Sequence, residues 1–175
     1  HFLYDEQARY RQFVFGDEKI PTSLHDGENL NHFKSVECQI MDWADDAAYS
    51  LNDIVDGVKA GFLTIDRIEK WAAGVGINAE RQAWLDTLIA AIRADRLELT
   101  FSQKIGAFIT GCRLRERQGF MSARTHRYRY ELVVTPAAES EAAFYKQLAN
   151  DVIFDSPQLQ QMEHKARKIL FDLWA

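Results

Sequence analysis

The residues best placed to do chemistry lie in one stretch. From Ser35 to Val58 the chain carries six acids (Glu37, Asp42, Asp45, Asp46, Asp53 and Asp56) and no Lys or Arg. On a helical wheel advancing about 100° per residue, Asp45, Tyr49, Asn52, Asp53, Asp56 and Asp42 fall within one arc. Ile40, Trp43, Ala44, Ala47, Leu51, Ile54, Val55 and Val58 take the other side, a clean amphipathic separation. Aspartate is a poor helix-interior residue, and like charges at i,i+4 destabilise a helix. Such a stripe asks for positive charge from elsewhere: a divalent cation, for which carboxylate oxygens are hard ligands, or basic side chains of the same fold. The plainer reading is a surface helix with a solvated acidic face.

The elements that must hold this stripe are mostly helical. Glycine and proline are sparse, at 9 and 3 residues, and apolar positions recur at helical spacing. A short helix is expected over 1–15, a loop over 16–31, and a long helix from Ser35 to Lys59 stopped at Gly61. Thr64 and Asn78 start two further helices as N-caps, the second running to Ala94. Another helix is expected from Leu99 to Gln118. The run Thr125–Thr135 is rich in β-branched and aromatic residues and is the strand candidate. Pro136 suits the first turn of a helix. Ser156-Pro157 opens the last helix, 157–174, with Leu159, Met162, Ala166, Ile169, Leu170 and Leu173 near one face. Trp43, Trp71, Trp84 and Trp174 read as core residues. No linker marks a domain boundary.

At 175 residues, 47% hydrophobic and 27% charged, the chain has the apolar material for a core. Its net charge of -5 gives no general attraction to nucleic acid. Cys38 and Cys112 lie too far apart for a disulfide framework or a zinc knuckle, so a reduced, cytoplasmic setting is the simplest expectation. No stretch reaches the roughly 20 apolar residues of a membrane span. Phosphate-loop, dinucleotide and serine-hydrolase motifs are absent. The chain opens on His1 without a lead-in, which reads as a piece of a longer protein.

The segment from Glu37 to Gly57 resembles the E-x-Q-[IV]-x-[DN]-x-A-D-[DE]-I-x-Y-x-x-x-D-[IL]-x-D element of dGTPase-like HD-domain phosphohydrolases. The likeness is strong over about 25 residues and continues weakly through Tyr130–Pro136 and Ile169–Leu173. It implies a mainly α, HD-type C-terminal region, a single portion over 1–175 with a small β element near 124–135. It implies an enzyme that hydrolyses a deoxynucleoside triphosphate to a deoxynucleoside and inorganic triphosphate with a divalent metal ion such as Mg²⁺ or Mn²⁺, acting as a homo-oligomer. The family's metal-binding Asp carries over to Asp45, and its nucleotide-facing positions to Tyr49 and Asp53. Ala47 and Asn52 depart from the family pattern, which usually has a larger apolar residue and a His there. The family's first His and His-Asp pair belong upstream; His25-Asp26 reads instead as a polar turn before Gly27. The chain is therefore expected to be catalytically incomplete alone.

Six arginines, Arg113, Arg115, Arg117, Arg124, Arg127 and Arg129, crowd into 17 residues among Phe120, Tyr128 and Tyr130. Within the family reading, Arg124 and Arg127 are candidates for phosphate contact, since guanidinium suits phosphate geometry. The rival reading is a helical module that uses the 113–129 region to hold nucleic acid or another anion. The plain alternative is a charged edge strand.

Overall fold

The computed structural model describes residues 6, 9, 10, 13, 34–118, 122 and 126–174. Among these residues the chain is mainly α. The order is α1 (Val36–Lys59), α2 (Ile65–Val75), α3 (Ala79–Arg93), α4 (Leu97–Thr110), β1 (Cys112–Glu116), β2 (Tyr130–Val134), α5 (Pro136–Ala149) and α6 (Pro157–Trp174). A 3₁₀ turn at His126–Tyr128 precedes β2, and a π-turn at Asn150–Phe154 joins α5 to α6. The two strands pair as one small sheet.

The helix ends follow the local chemistry of the sequence. Ser35 accepts from the Cys38 amide at 3.3 Å, satisfying one of the first free N–H groups of α1. Gly61, at φ +74, turns the chain just after α1 ends. Thr64 accepts from Arg67 N, and Asn78 from Arg81 N at 2.9 Å, as expected of N-caps. α3 ends differently: Asp95, with φ 53, takes the left-handed position that glycine usually fills. Its carboxylate also sits at the negative end of the helix dipole. Asp95→Gly is therefore expected to stabilise the protein by about 0.5–1 kcal/mol, read as a rise in the urea midpoint; a fall would show that the Asp95 side chain contributes more than the strain costs.

Two compact units divide the chain. The first comprises residues 1–40 and 114–132, the second residues 41–113 and 133–175. The borders fall inside α1 and inside both strands, so no linker composition marks them. In the second unit, Leu51 and Ile54 of α1 are buried with Ile68, Leu85, Leu88, Phe101, Phe108, Phe144, Tyr145 and Leu148. Phe144 is the hub, with its ring 5.7 Å from Trp71, 5.6 Å from Trp84 and 5.3 Å from Tyr145. Lys104 of α4 and Glu141 of α5 form an ion pair in this core, both largely buried, and Tyr145 points its hydroxyl at the same carboxylate. Burial, with Glu141 alongside, pushes the Tyr145 phenol far above its ordinary range.

Several expectations need correction. The helix expected to reach Gln118 stops at Thr110, because Cys112–Glu116 pairs with a strand some 15 residues further on, a partnership invisible to local periodicity. The strand expected from Thr125 is shorter, Tyr130–Val134, with the 3₁₀ turn in front of it. Trp43, Trp71 and Trp84 pack against the core, but Trp174 is 93% exposed. Ile40 and Ala44 are also exposed rather than inward. Ser156 starts α6 by backbone position only: its hydroxyl is buried without a hydrogen-bond partner among the described residues. The loop expected over 16–31, including His25-Asp26, lies outside the described residues, as does most of the helix expected over 1–15.

Candidate functional site

The second unit holds the three residues singled out on α1. Asp45, Tyr49 and Asp53 stand at successive i,i+4 positions, so they climb one face over about 12 Å of helix axis. That face is opposite Leu51 and Ile54, the fully buried residues that fix the rotation of α1. Asp45 is exposed and Tyr49 is 60% exposed, while Asp53 is half-buried. Met41, 64% exposed, adds apolar surface one turn before Asp45. Single exposed apolar residues are ordinary on a protein surface, so this mixed face fits a solvated acidic helix as well as a binding face.

Neighbouring acids on this helix are accounted for differently. Asp46 is ion-paired to Lys146 of α5 at 2.8 Å. The fold thus does supply positive charge to the stripe, but to Asp46. No ion pair or hydrogen bond engages the Asp45 carboxylate among the described residues. Asp53 has its carboxyl pushed above the usual range, first by burial and then by the charge of Asp56. Its protonated form is therefore favoured by folding. Its ionisation weakens the fold as pH rises from the ordinary aspartate value through the raised one, and imposes no cost below that window. Asp53→Asn is expected to remove this slope; urea unfolding of both proteins across the carboxylate range measures it, and parallel curves would contradict it.

The face is open. The two clefts described in the second unit lie elsewhere, one of about 590 Å³ beside Glu69 and Arg93 and one of about 490 Å³ beside Val58 and Arg96. Among the described residues no group of three or more His, Cys, Asp or Glu side chains is gathered to hold a metal ion. The described residues therefore do not make a metal centre by themselves; Asp45 offers one oxygen-donor side chain.

The first unit contains the other candidates. Glu37 has its carboxyl held below the usual range by hydrogen bonding to its own backbone and to Ser35, with the Arg127 charge adding to this. Gln39, 4% exposed, does work that residue types alone did not disclose. Its amide donates to Lys34 O at 3.1 Å, and its carbonyl accepts from Leu132 N at 3.0 Å, tying the start of α1 to β2. A buried polar residue at the inner edge of an amphipathic helix was the available signal.

Three of the six arginines are committed locally. Arg115 places Nε and a terminal nitrogen on Glu131 Oε1, each at 2.6 Å. Arg129 pairs with Glu116 at 2.7 Å, and Arg117 Nε donates to Tyr128 O at 2.9 Å. These cross-strand ties support the reading of a charged edge. Arg113 and Arg127 are exposed, and Arg124 lies outside the described residues. Among the described residues no helix is long and apolar enough to cross a membrane.

No family model matches the chain. Curated relatives do. A deoxyguanosinetriphosphate triphosphohydrolase-like protein of Shewanella pealeana is 27% identical over 169 residues, taking in 87% of this chain and 36% of that protein. One of Streptomyces coelicolor is 30% identical over 162 residues, with 78% and 38% covered. One of Histophilus somni is 29% identical over 182 aligned positions, with 99% and 39% covered. The chain spans a little over a third of the length of these relatives. Across most of its length it is related to the deoxyguanosinetriphosphate triphosphohydrolase-like proteins.

Proposed function

We propose that this chain is part of a metal-dependent deoxynucleoside triphosphate triphosphohydrolase and supplies the Asp45–Tyr49–Asp53 face of its active site. The carrying observation is that face: a carboxylate with no partner among the described residues, an exposed phenol and a half-buried carboxyl aligned on one helix, in a chain whose relatives are named deoxyguanosinetriphosphate triphosphohydrolase-like. Asp45 would give one ligand to a divalent ion. The other ligands would have to come from outside the described residues, because none gather beside it among them. When bound, such an ion polarises a phosphoryl oxygen and acidifies water. The residues of this chain would have binding and orienting roles: Tyr49 offers its ring to the sugar face, and Asp53 accepts a hydrogen bond from a sugar hydroxyl when ionised. In the cleavage the bond between the α-phosphorus and the 5′-oxygen breaks, water adds to phosphorus, and the nucleoside leaves with the proton.

The test is the product. The intact protein, given dGTP and Mn²⁺, is expected to release deoxyguanosine and inorganic triphosphate in equal amounts, and to stop when EDTA is added. Release of pyrophosphate or single phosphate instead, or no turnover with any divalent ion, removes the proposal.

A further inference from the structure

α6 is an 18-residue helix with no buried residue. Among the described residues only its beginning is held: Leu159 packs against the core of the second unit, and Gln160 donates to Phe154 O. From Gln160 to Trp174 every residue is exposed. Helices of this length gain most of their stability from packing an apolar face, so one left bare implies a cover.

The spacing of that face says what kind of cover. Leu159, Met162, Ala166, Ile169 and Leu173 alternate three and four residues apart, the a/d seam of a coiled coil, and Leu170 widens it. Met162, Ile169, Leu170 and Leu173 are 61%, 58%, 66% and 79% exposed. Lys165 and Asp172 flank the seam on one side at equivalent heptad positions. In an antiparallel pair of identical helices those positions meet across the two-fold axis, placing each Lys165 against the other copy's Asp172, while Met162 layers with Leu173 and Ala166 with Ile169. In a parallel pair Lys165 would face Leu170 instead, and its charge would have no partner.

We propose that α6 is a self-association surface that pairs antiparallel with α6 of a second copy of this chain. The seam supplies the apolar contact, and the Lys165–Asp172 complementarity selects the partner and its direction.

Sedimentation of the 175-residue chain tests this independently of any catalytic activity. At about 100 µM, enough to populate a complex of micromolar affinity, the chain is expected to sediment at twice its monomer mass. Ile169→Lys is expected to return it to monomer with its helical circular dichroism unchanged. Lys165→Glu alone and Asp172→Lys alone should each weaken the dimer about fivefold or more, since each sets like charges opposite twice per dimer, and the double exchange should restore it to within about twofold. A chain that remains monomeric overturns the proposal and assigns the face to some other segment. A dimer that Ile169→Lys leaves intact, or that the double exchange fails to restore, overturns it as well.

Discussion

On the proposed function, Asp45→Asn in the intact protein is expected to lower the rate of triphosphate release by about a hundredfold or more. Removing a residue that only orients a metal ligand typically costs 10–100-fold in affinity or activity, so loss of a ligand itself should reach at least the upper end of that range. Asparagine keeps the size of the side chain and one oxygen but removes the charge that a hard divalent ion requires. Because Asp45 is exposed and engages no partner among the described residues, its loss should leave the fold intact. Asp46→Asn is the matched control. It sits one residue away and bears the same charge, but it is exposed and paired to Lys146. An exposed pair contributes at most about 1 kcal/mol to stability, so turnover should stay within about a factor of two. Equal losses in both variants would mean that the helix face acts through its overall charge, and Asp45 would have no special role.

Phe144→Ala should cost about 3–5 kcal/mol of stability. The ring is fully buried and touches Trp71, Trp84 and Tyr145, which come from α2, α3 and α5. Truncation removes its burial and its edge contacts together and leaves a hole that three large rings cannot easily fill. Denaturant titration followed by tryptophan fluorescence reads the loss as a lower midpoint at constant slope. A loss below about 1 kcal/mol would show that the aromatic layer collapses around the gap.

Local rules made α1 legible from residue types alone. Ser35, Thr64, Asn78, Gly61 and Pro136 mark helix ends by chemistry that acts within a few residues, and the chain obeys each of them. The buried line Ala47–Leu51–Ile54 fixed which face of α1 turns outward, so the alignment of Asp45, Tyr49 and Asp53 could be read before any coordinates. What escaped depended on partners distant in sequence. β1 is a strand because residues near 130 lie beside it, Asp46 is quiet because Lys146 lies a hundred residues away, and Gln39 is essential to its surroundings because Leu132 needs an acceptor. Trp174 misled for the converse reason. Its size suggested burial, yet it lies at the end of a helix that nothing described covers.

The hairpin between β1 and β2 has a latent property. Two of its arginines, Arg115 and Arg129, are answered across the strands by Glu131 and Glu116. Those two glutamates act as an insulating layer. Stripping them off with paired glutamine replacements would unmask a cationic strip, and the hairpin would become adhesive toward polyphosphates of any sequence, with an attachment that salt washes away.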